Sequence, residues 1–274
     1  MPEPLQLPIR VIVKGPSTVN WTSYMGGPRT DFAFPRVLEQ EVLAAGRPID
    51  IRVFTAPSQR ANSQLRTWEE QFLGFLPDVV VLTLGQQETI HLFLPRWLER
   101  HANSLKAKDR PLTNFYRKSI LKPTWKLLAR VQARVDRALP PNLRKRRPKH
   151  VAADLERLIT HLNKLQFPLI YVCEFLPPAQ RQKDWFPGME PRLHVMNETI
   201  EAMVRKIDKP NVRYFTLREL VTKYAEDDIE IATPDGFHYS PEMHRAFGAK
   251  LAREILEWAD TQPYLQPPAP RAAD

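Results

Sequence analysis

The stretch Thr233-Pro234-Asp235-Gly236-Phe237-His238-Tyr239-Ser240-Pro241 places an acid three residues before a histidine, in a turn punctuated by Gly and Pro. An Asp at that spacing orients one imidazole nitrogen and leaves the other free to take a proton from a nucleophile. Ser240-Pro241-Glu242 then opens a helix with a cap and a Pro in its first turn, and Phe247, Leu251, Ile255 and Trp258 recur on its inner face. At the opposite end of the chain, the apolar run Ile9-Arg10-Val11-Ile12-Val13 leads into Gly15-Pro16-Ser17-Thr18. A first strand there delivers Ser17 to its carboxyl edge. Ser17 is the candidate nucleophile, His238 its base and Asp235 the acid that orients the base.

Between these ends strands and helices alternate. Strands are expected at Ile49 to Phe54, Val79 to Leu84, Pro168 to Glu174 and Val212 to Phe215. Helical spacing joins Phe34, Val37, Leu38, Glu41 and Val42, then Leu65, Trp68, Phe72 and Leu73, and later Val195, Ile200 and Val204. The pattern predicts a three-layer α/β/α fold, a doubly wound and mainly parallel sheet of about five strands. Its active site belongs at the carboxyl ends of the strands, where Ser17, Ser58, Gln87, Asp235 and His238 all fall.

Taken together, the Ser after the first strand and the Asp-x-x-His near the C-terminus resemble the SGNH/GDSL hydrolases, a flavodoxin-like fold. A third block is Pro77-Asp78-Val79-Val80-Val81-Leu82-Thr83-Leu84-Gly85-Gln86-Gln87-Glu88, a buried strand running into a Gly turn. The family reads Gly-x-Asn-Asp there, and this chain has Gln87 and Glu88 at the last two positions. The family's second block supplies a Gly amide, whereas here the place reads Thr55-Ala56-Pro57-Ser58-Gln59. The resemblance implies a serine esterase or acyltransferase acting on an ester or thioester; no His/Cys cluster stands at metal-ligand spacing, so no metal or other cofactor is expected. It implies an oxyanion site made by the Ser17 amide, Gln87 and the Ser58 amide, with Gly85 and Glu88 supporting the loop. Arg29 is a candidate partner for a substrate anion or for Asp31. The two departures keep a second reading open, a catalytically silent module of the same fold.

Residues 1–260 read as one α/β domain, with a basic helical insertion over residues 96–150 and a flexible Pro/Ala-rich tail over residues 261–274. From Arg96 to Lys149 there are 17 Lys or Arg against Glu99, Asp109 and Asp136, a net of +14 in a chain of net +9. All the excess basicity is therefore local. Leu121, Trp125, Leu128, Val131, Val135 and Leu139 form an expected packed stripe, Lys122, Lys126, Arg130, Arg134 and Arg137 a basic one, with Pro123 in the first turn of the helix. Arg144, Lys145, Arg146, Arg147, Pro148 and Lys149 are expected as a charged loop, a candidate docking site for an anionic partner. Three roles are open for the insertion: a lid with solvated charges, a cationic dock for an acyl carrier protein or other anionic partner, and an element lying on a membrane surface. Nucleic acid is not expected, because no recognition motif accompanies the charge. No run of about 18 apolar residues is present, and no secretory leader is evident at Met1-Pro2-Glu3-Pro4, so a cytoplasmic or membrane-peripheral location is expected. The lone Cys173 lies in a strand and reads as a buried structural thiol.

Overall fold

The computed structural model describes residues 6–22, 27–28, 31–56, 59–90, 101, 105, 110–138, 140, 143, 145–166 and 168–266. Five of its strands, β1 (Ile9–Gly15), β2 (Ile49–Thr55), β3 (Val79–Leu82), β4 (Leu169–Cys173) and β5 (Val212–Phe215), form one sheet in the order β2-β1-β3-β4-β5. Every neighbouring pair is parallel, with Val11 opposite both Ile51 and Val79, and Val81 opposite Tyr171. Parallel strands need crossover helices, and these cover both faces of the sheet. That is why β3 and β4 are buried along their whole length.

The helices are α1 (Phe34–Ala44), α2 (Ala61–Trp68), α3 (Gln87–Ile90), α4 (Pro111–Tyr116), α5 (Lys122–Ala138), α6 (Arg146–Leu162), α7 (Gln180–Trp185), α8 (Met189–Ile207), α9 (Arg218–Tyr224), α10 (Ile229–Ala232) and α11 (Pro241–Ala259). Successive strand residues point to opposite faces. Val11, Val13, Val79, Val81, Tyr171 and Cys173 accordingly share a core with residues of α1, α9 and α11. Ile12, Val80, Leu82, Ile170 and Val172 share the other with residues of α6 and α8. Burial pushes the Cys173 thiol up, well above the usual range, so its role is packing. In α11, a Cβ on Gly248 would lie 2.6 Å from Val37 Cβ and 2.7 Å from the Phe34 carbonyl, so α1 and α11 meet almost backbone to backbone.

A charged strand side chain is also buried. Lys14, at the end of β1, is fully buried. Its Nζ bonds Gln71 Oε1 and lies 3.5 Å from Thr67 Oγ1, within reach of the Phe54 and Phe72 rings. Gln71 sits in a five-residue π-turn, Glu69–Leu73, that continues α2. Burial lowers the Lys14 pKa to about 8, while Glu70 acts in the opposite direction.

The insertion departs from the expected pattern. The chain is helical from Pro111, and a π-turn at Arg117–Leu121 leads directly into α5. Pro123 therefore lies well inside a helical run. Its ring would collide with the carbonyl four residues back in a regular helix, and the wider π-turn just before it relieves that clash. The buried face of α5 carries Ala129, Gln132 and Ala133, while Leu127, Val131 and Val135 are 61%, 47% and 39% exposed. Small side chains let α5 approach α3, where Gln132 donates to the Ile90 carbonyl at 3.3 Å. Leu139 lies outside the described residues. The basic run also differs from the expected loop, since α6 starts at Arg146. Pro148 is tolerated in its first turn because the N–H groups there have no intrahelical acceptor. Part of the stretch expected as a flexible tail is folded. Pro263–Leu265 forms a 3-10 turn whose Leu265 is buried in the α1/α11 core, with its carbonyl bonded by Arg47 at 2.8 Å; residues 267–274 lie outside the described residues.

Candidate active site

β1 ends at Gly15, where a Cβ would sit 1.7 Å from Thr83 Oγ1, so only glycine lets the end of β1 lie against the end of β3. Pro16 is extended, and a 3-10 turn begins at Ser17. The Ser17 N–H is the first of that turn and has no intrahelical partner. Asp235 and His238 come from the turn between α10 and α11. Gly236 takes a left-handed conformation there, φ +87°, with Gln182 packed where a Cβ would be. Few L residues adopt that geometry.

Within this turn Asp235 Oδ1 accepts the amides of Phe237 at 2.9 Å and His238 at 2.7 Å. Its Oδ2 lies 2.7 Å from His238 Nδ1, and His238 Nε2 lies 2.9 Å from Ser17 Oγ. Ser17 and His238 stand 221 residues apart in the chain. Asp235 is acceptor-only when ionised, so Nδ1 carries the hydrogen and Nε2 is left as the acceptor for the serine hydroxyl. The arrangement can draw the Ser17 proton toward His238 while the carboxylate holds the ring. Ser240 Oγ caps α11 by accepting from the Met243 amide at 3.2 Å, which fixes the helix that follows the turn.

His244, on the first turns of α11, is a buried neighbour that sequence spacing did not single out. Its Nδ1 accepts the Phe34 amide at 3.2 Å and so closes the start of α1. Burial, with His238 nearby, lowers its pKa to about 3 and keeps it neutral. Its signal in the sequence is slight, a polar residue on an otherwise apolar helix face.

The third block folds as the turn Gly85-Gln86 followed by α3. Gln87 stands at the start of α3, half-buried, and makes no side-chain hydrogen bond within the described residues. Glu88 is buried, and its Oε1 accepts the Ala61 amide at 2.8 Å, tying this turn to the start of α2. Burial is the largest influence on its carboxyl and raises its pKa; the Ala61 hydrogen bond, Arg60 and Arg147 act the other way. Gly85 has φ +131° and lies against Ile200, Phe175 and Val151. Ser58 and Arg29 lie outside the described residues, as does Arg144. Lys145 and Arg146 are exposed at the start of α6, whereas Arg147 turns inward and donates to the Glu88 carbonyl at 3.4 Å.

Neither a protein-family model nor a curated protein matches the sequence. Solved structures do match. A lipase/acylhydrolase from Enterococcus faecalis superposes with TM-score 0.58 at 14% identity, over 95% of this chain and 99% of the other. The fold is the one this acylhydrolase has. A carbohydrate acetylesterase from Sinorhizobium meliloti (TM-score 0.54, 12% identity, 91% and 99% covered) and an aryl esterase from M. smegmatis (TM-score 0.51, 15% identity, 90% and 98% covered) share it. At these identities the likeness concerns the fold, and the five-stranded parallel sheet agrees with the doubly wound, flavodoxin-like fold class expected.

Proposed function

We propose that this chain is a serine hydrolase of carboxylic esters or thioesters, working through an acyl-enzyme. One observation carries the reading: His238 bridges Asp235 at 2.7 Å and Ser17 at 2.9 Å, joining both ends of the chain in one relay. The Ser17 Oγ bonds the substrate carbonyl carbon as its proton passes to His238 Nε2. The C–O or C–S bond then breaks, and the same proton leaves with the alcohol or thiol. Water, deprotonated by His238, releases the acid; an acceptor hydroxyl in its place would make the reaction an acyl transfer. The Ser17 amide and the Gln87 carboxamide are the donors proposed for the oxyanion, each worth about 100- to 1000-fold in turnover at a typical site. The test is labelling with a fluorophosphonate probe. Wild type is expected to label and both Ser17→Ala and His238→Ala to lose the label. A folded wild type that stays unlabelled would favour the silent binding module instead.

The insertion suits a peripheral position on an anionic membrane. Leu112 and Phe115 are 85% and 66% exposed, and with Ile120, Leu127, Val131 and Val135 they make an outward apolar stripe. The π-turn keeps that stripe in register by spacing Phe115 and Ile120 five residues apart. Lys118, Lys122, Lys126, Arg130 and Arg134 run beside it at four-residue steps. No helix of the described residues is long and apolar enough to cross a membrane. Sedimentation with phosphatidylserine-containing vesicles should recover the protein, and Phe115→Ser with Leu127→Ser should leave it in the supernatant. Recovery that is the same for both proteins, or the same with neutral vesicles, would refute the surface.

A further inference from the structure

β2 forms one margin of the five-stranded sheet, and among the described residues it is paired on one side only, with β1. Ile9 stands opposite Ile49 and donates to the Pro48 carbonyl at 2.9 Å. In a parallel pair of that register, the β2 backbone groups turned toward β1 are those of Asp50, Arg52 and Phe54. Those of Ile49, Ile51, Val53 and Thr55 therefore point away from the sheet. A row of outward N–H and C=O groups is a template for another strand.

The side chains alternate as well. Ile49 and Ile51 pack toward the α1/α11 core, and Phe54 toward the opposite one. Asp50 and Arg52 share the Phe54 face and are both exposed. Arg52 lies over the Phe75 ring, 4.1 Å from its centroid, which holds this side chain against that face of the sheet. Apolar surface accompanies the charges. Val53 in the strand is 41% exposed, Leu43 in α1, the helix leading into β2, 51%, and Leu73 in the π-turn beside Phe72 41%.

The order of residues in β2 selects the strand that fits it. A two-fold axis normal to the sheet brings two copies of β2 together antiparallel, each offering the same surface to the other. With the axis at Ile51, that residue meets its own copy and Ile49 meets Val53 of the second copy, all through outward backbone groups. Asp50 then stands opposite Arg52 of the second copy, and Arg52 opposite its Asp50. These are the close, non-hydrogen-bonded positions of an antiparallel ladder, with Cα atoms about 4.5 Å apart. Opposite charges stabilise such a pair and like charges destabilise it. Moving the axis one residue, to Arg52, would set that cation against itself.

We propose that β2 pairs antiparallel with β2 of a second copy of this chain, joining the two sheets into one continuous sheet, with Asp50 and Arg52 forming two reciprocal ion pairs across the seam. None of these residues belongs to the Ser17 relay, so the interface stands or falls apart from the esterase reading.

The test is sedimentation equilibrium of the full chain over a dilution series at low ionic strength, where exposed charges are least screened. A monomer–dimer equilibrium is expected. Asp50→Arg and Arg52→Asp should each raise the dissociation constant tenfold or more, since either one sets like charges opposite each other at both positions of the seam. Combining the two substitutions in one chain brings back opposite signs and should restore the dimer. An equimolar mixture of the two single variants should restore it too, as a mixed dimer. Because that mixture holds nothing but the single variants, its recovery also shows that both are folded. A chain that is monomeric throughout the series, a dimer whose dissociation constant neither substitution moves, or a mixture that remains monomeric would overturn the interface.

Discussion

Replacing Asp235 by Asn tests the relay with almost no change of shape. Asp235 Oδ1 receives two backbone amides, at 2.9 Å from Phe237 and 2.7 Å from His238. An Asn keeps a carbonyl oxygen there, so the turn retains both bonds and the fold is expected to persist. The other oxygen, 2.7 Å from His238 Nδ1, becomes an NH₂ group. Two donors cannot face each other, so the imidazole moves its hydrogen to Nε2, the nitrogen 2.9 Å from Ser17 Oγ. The ring then presents a donor to the serine hydroxyl and no base remains. The same exchange in a serine-protease triad lowers kcat about 10⁴-fold, roughly 5 kcal/mol of barrier. Hydrolysis of p-nitrophenyl acetate by Asp235→Asn, followed beside thermal unfolding, should show such a fall with little change in Tm. A variant keeping more than a tenth of wild-type kcat would refute the tautomer argument. Asp235→Ala separates the structural share, because both amides lose their acceptor at about 1–3 kcal/mol each when buried.

Gly248→Ala should destabilise the protein by about 1–3 kcal/mol through overpacking, against the helical advantage of Ala over Gly, about 1 kcal/mol, because its methyl meets Val37 and the Phe34 carbonyl; urea unfolding at wild-type stability would show that the helices separate freely. Lys14 has a folded pKa near 8, below its ordinary 10.5. Between those values the unfolded chain holds more protons, so its contribution makes stability rise with pH from about 8 to 10.5, and Lys14→Met should flatten that part of the profile. An unchanged slope would mean that Lys14 is solvated. Ser240→Ala removes the cap on the Met243 amide and should cost about 1 kcal/mol by chemical denaturation; a neutral result would assign the cap to water.

Much of the fold was legible because its signals are local. Apolar runs such as Val79 to Leu82 and the Ser240-Pro241 helix start are set by neighbours in sequence, and the parallel sheet follows from their alternation. Ser17, Asp235 and His238 were legible from short motifs, since strand-Gly-x-Ser and Asp-x-x-His each carry their own turn geometry. The insertion was not. Periodicity located its apolar residues but could not tell which face would meet α3, and the buried Ala129 and Ala133 give weak hydropathy signals. Nor could spacing register a π-turn ahead of Pro123. Lys14 was equally hidden, because its burial depends on Thr67 and Gln71, more than fifty residues away in sequence. The arginines of the basic run looked alike as charges, and only tertiary packing turns Arg147 toward the Glu88 carbonyl while Arg146 stays exposed.

Ser17 leaves the first strand and His238 precedes the last helix, so the relay closes the chain almost end to end. A nascent or truncated chain that ends before His238 would, under the proposed mechanism, hold Ser17 without its base. Cutting the polypeptide within the basic insertion would place Ser17 on one fragment and His238 on the other. If the proposed relay operates, neither half is expected to hydrolyse esters, and activity regained on mixing would report reassembly of the sheet across β3 and β4.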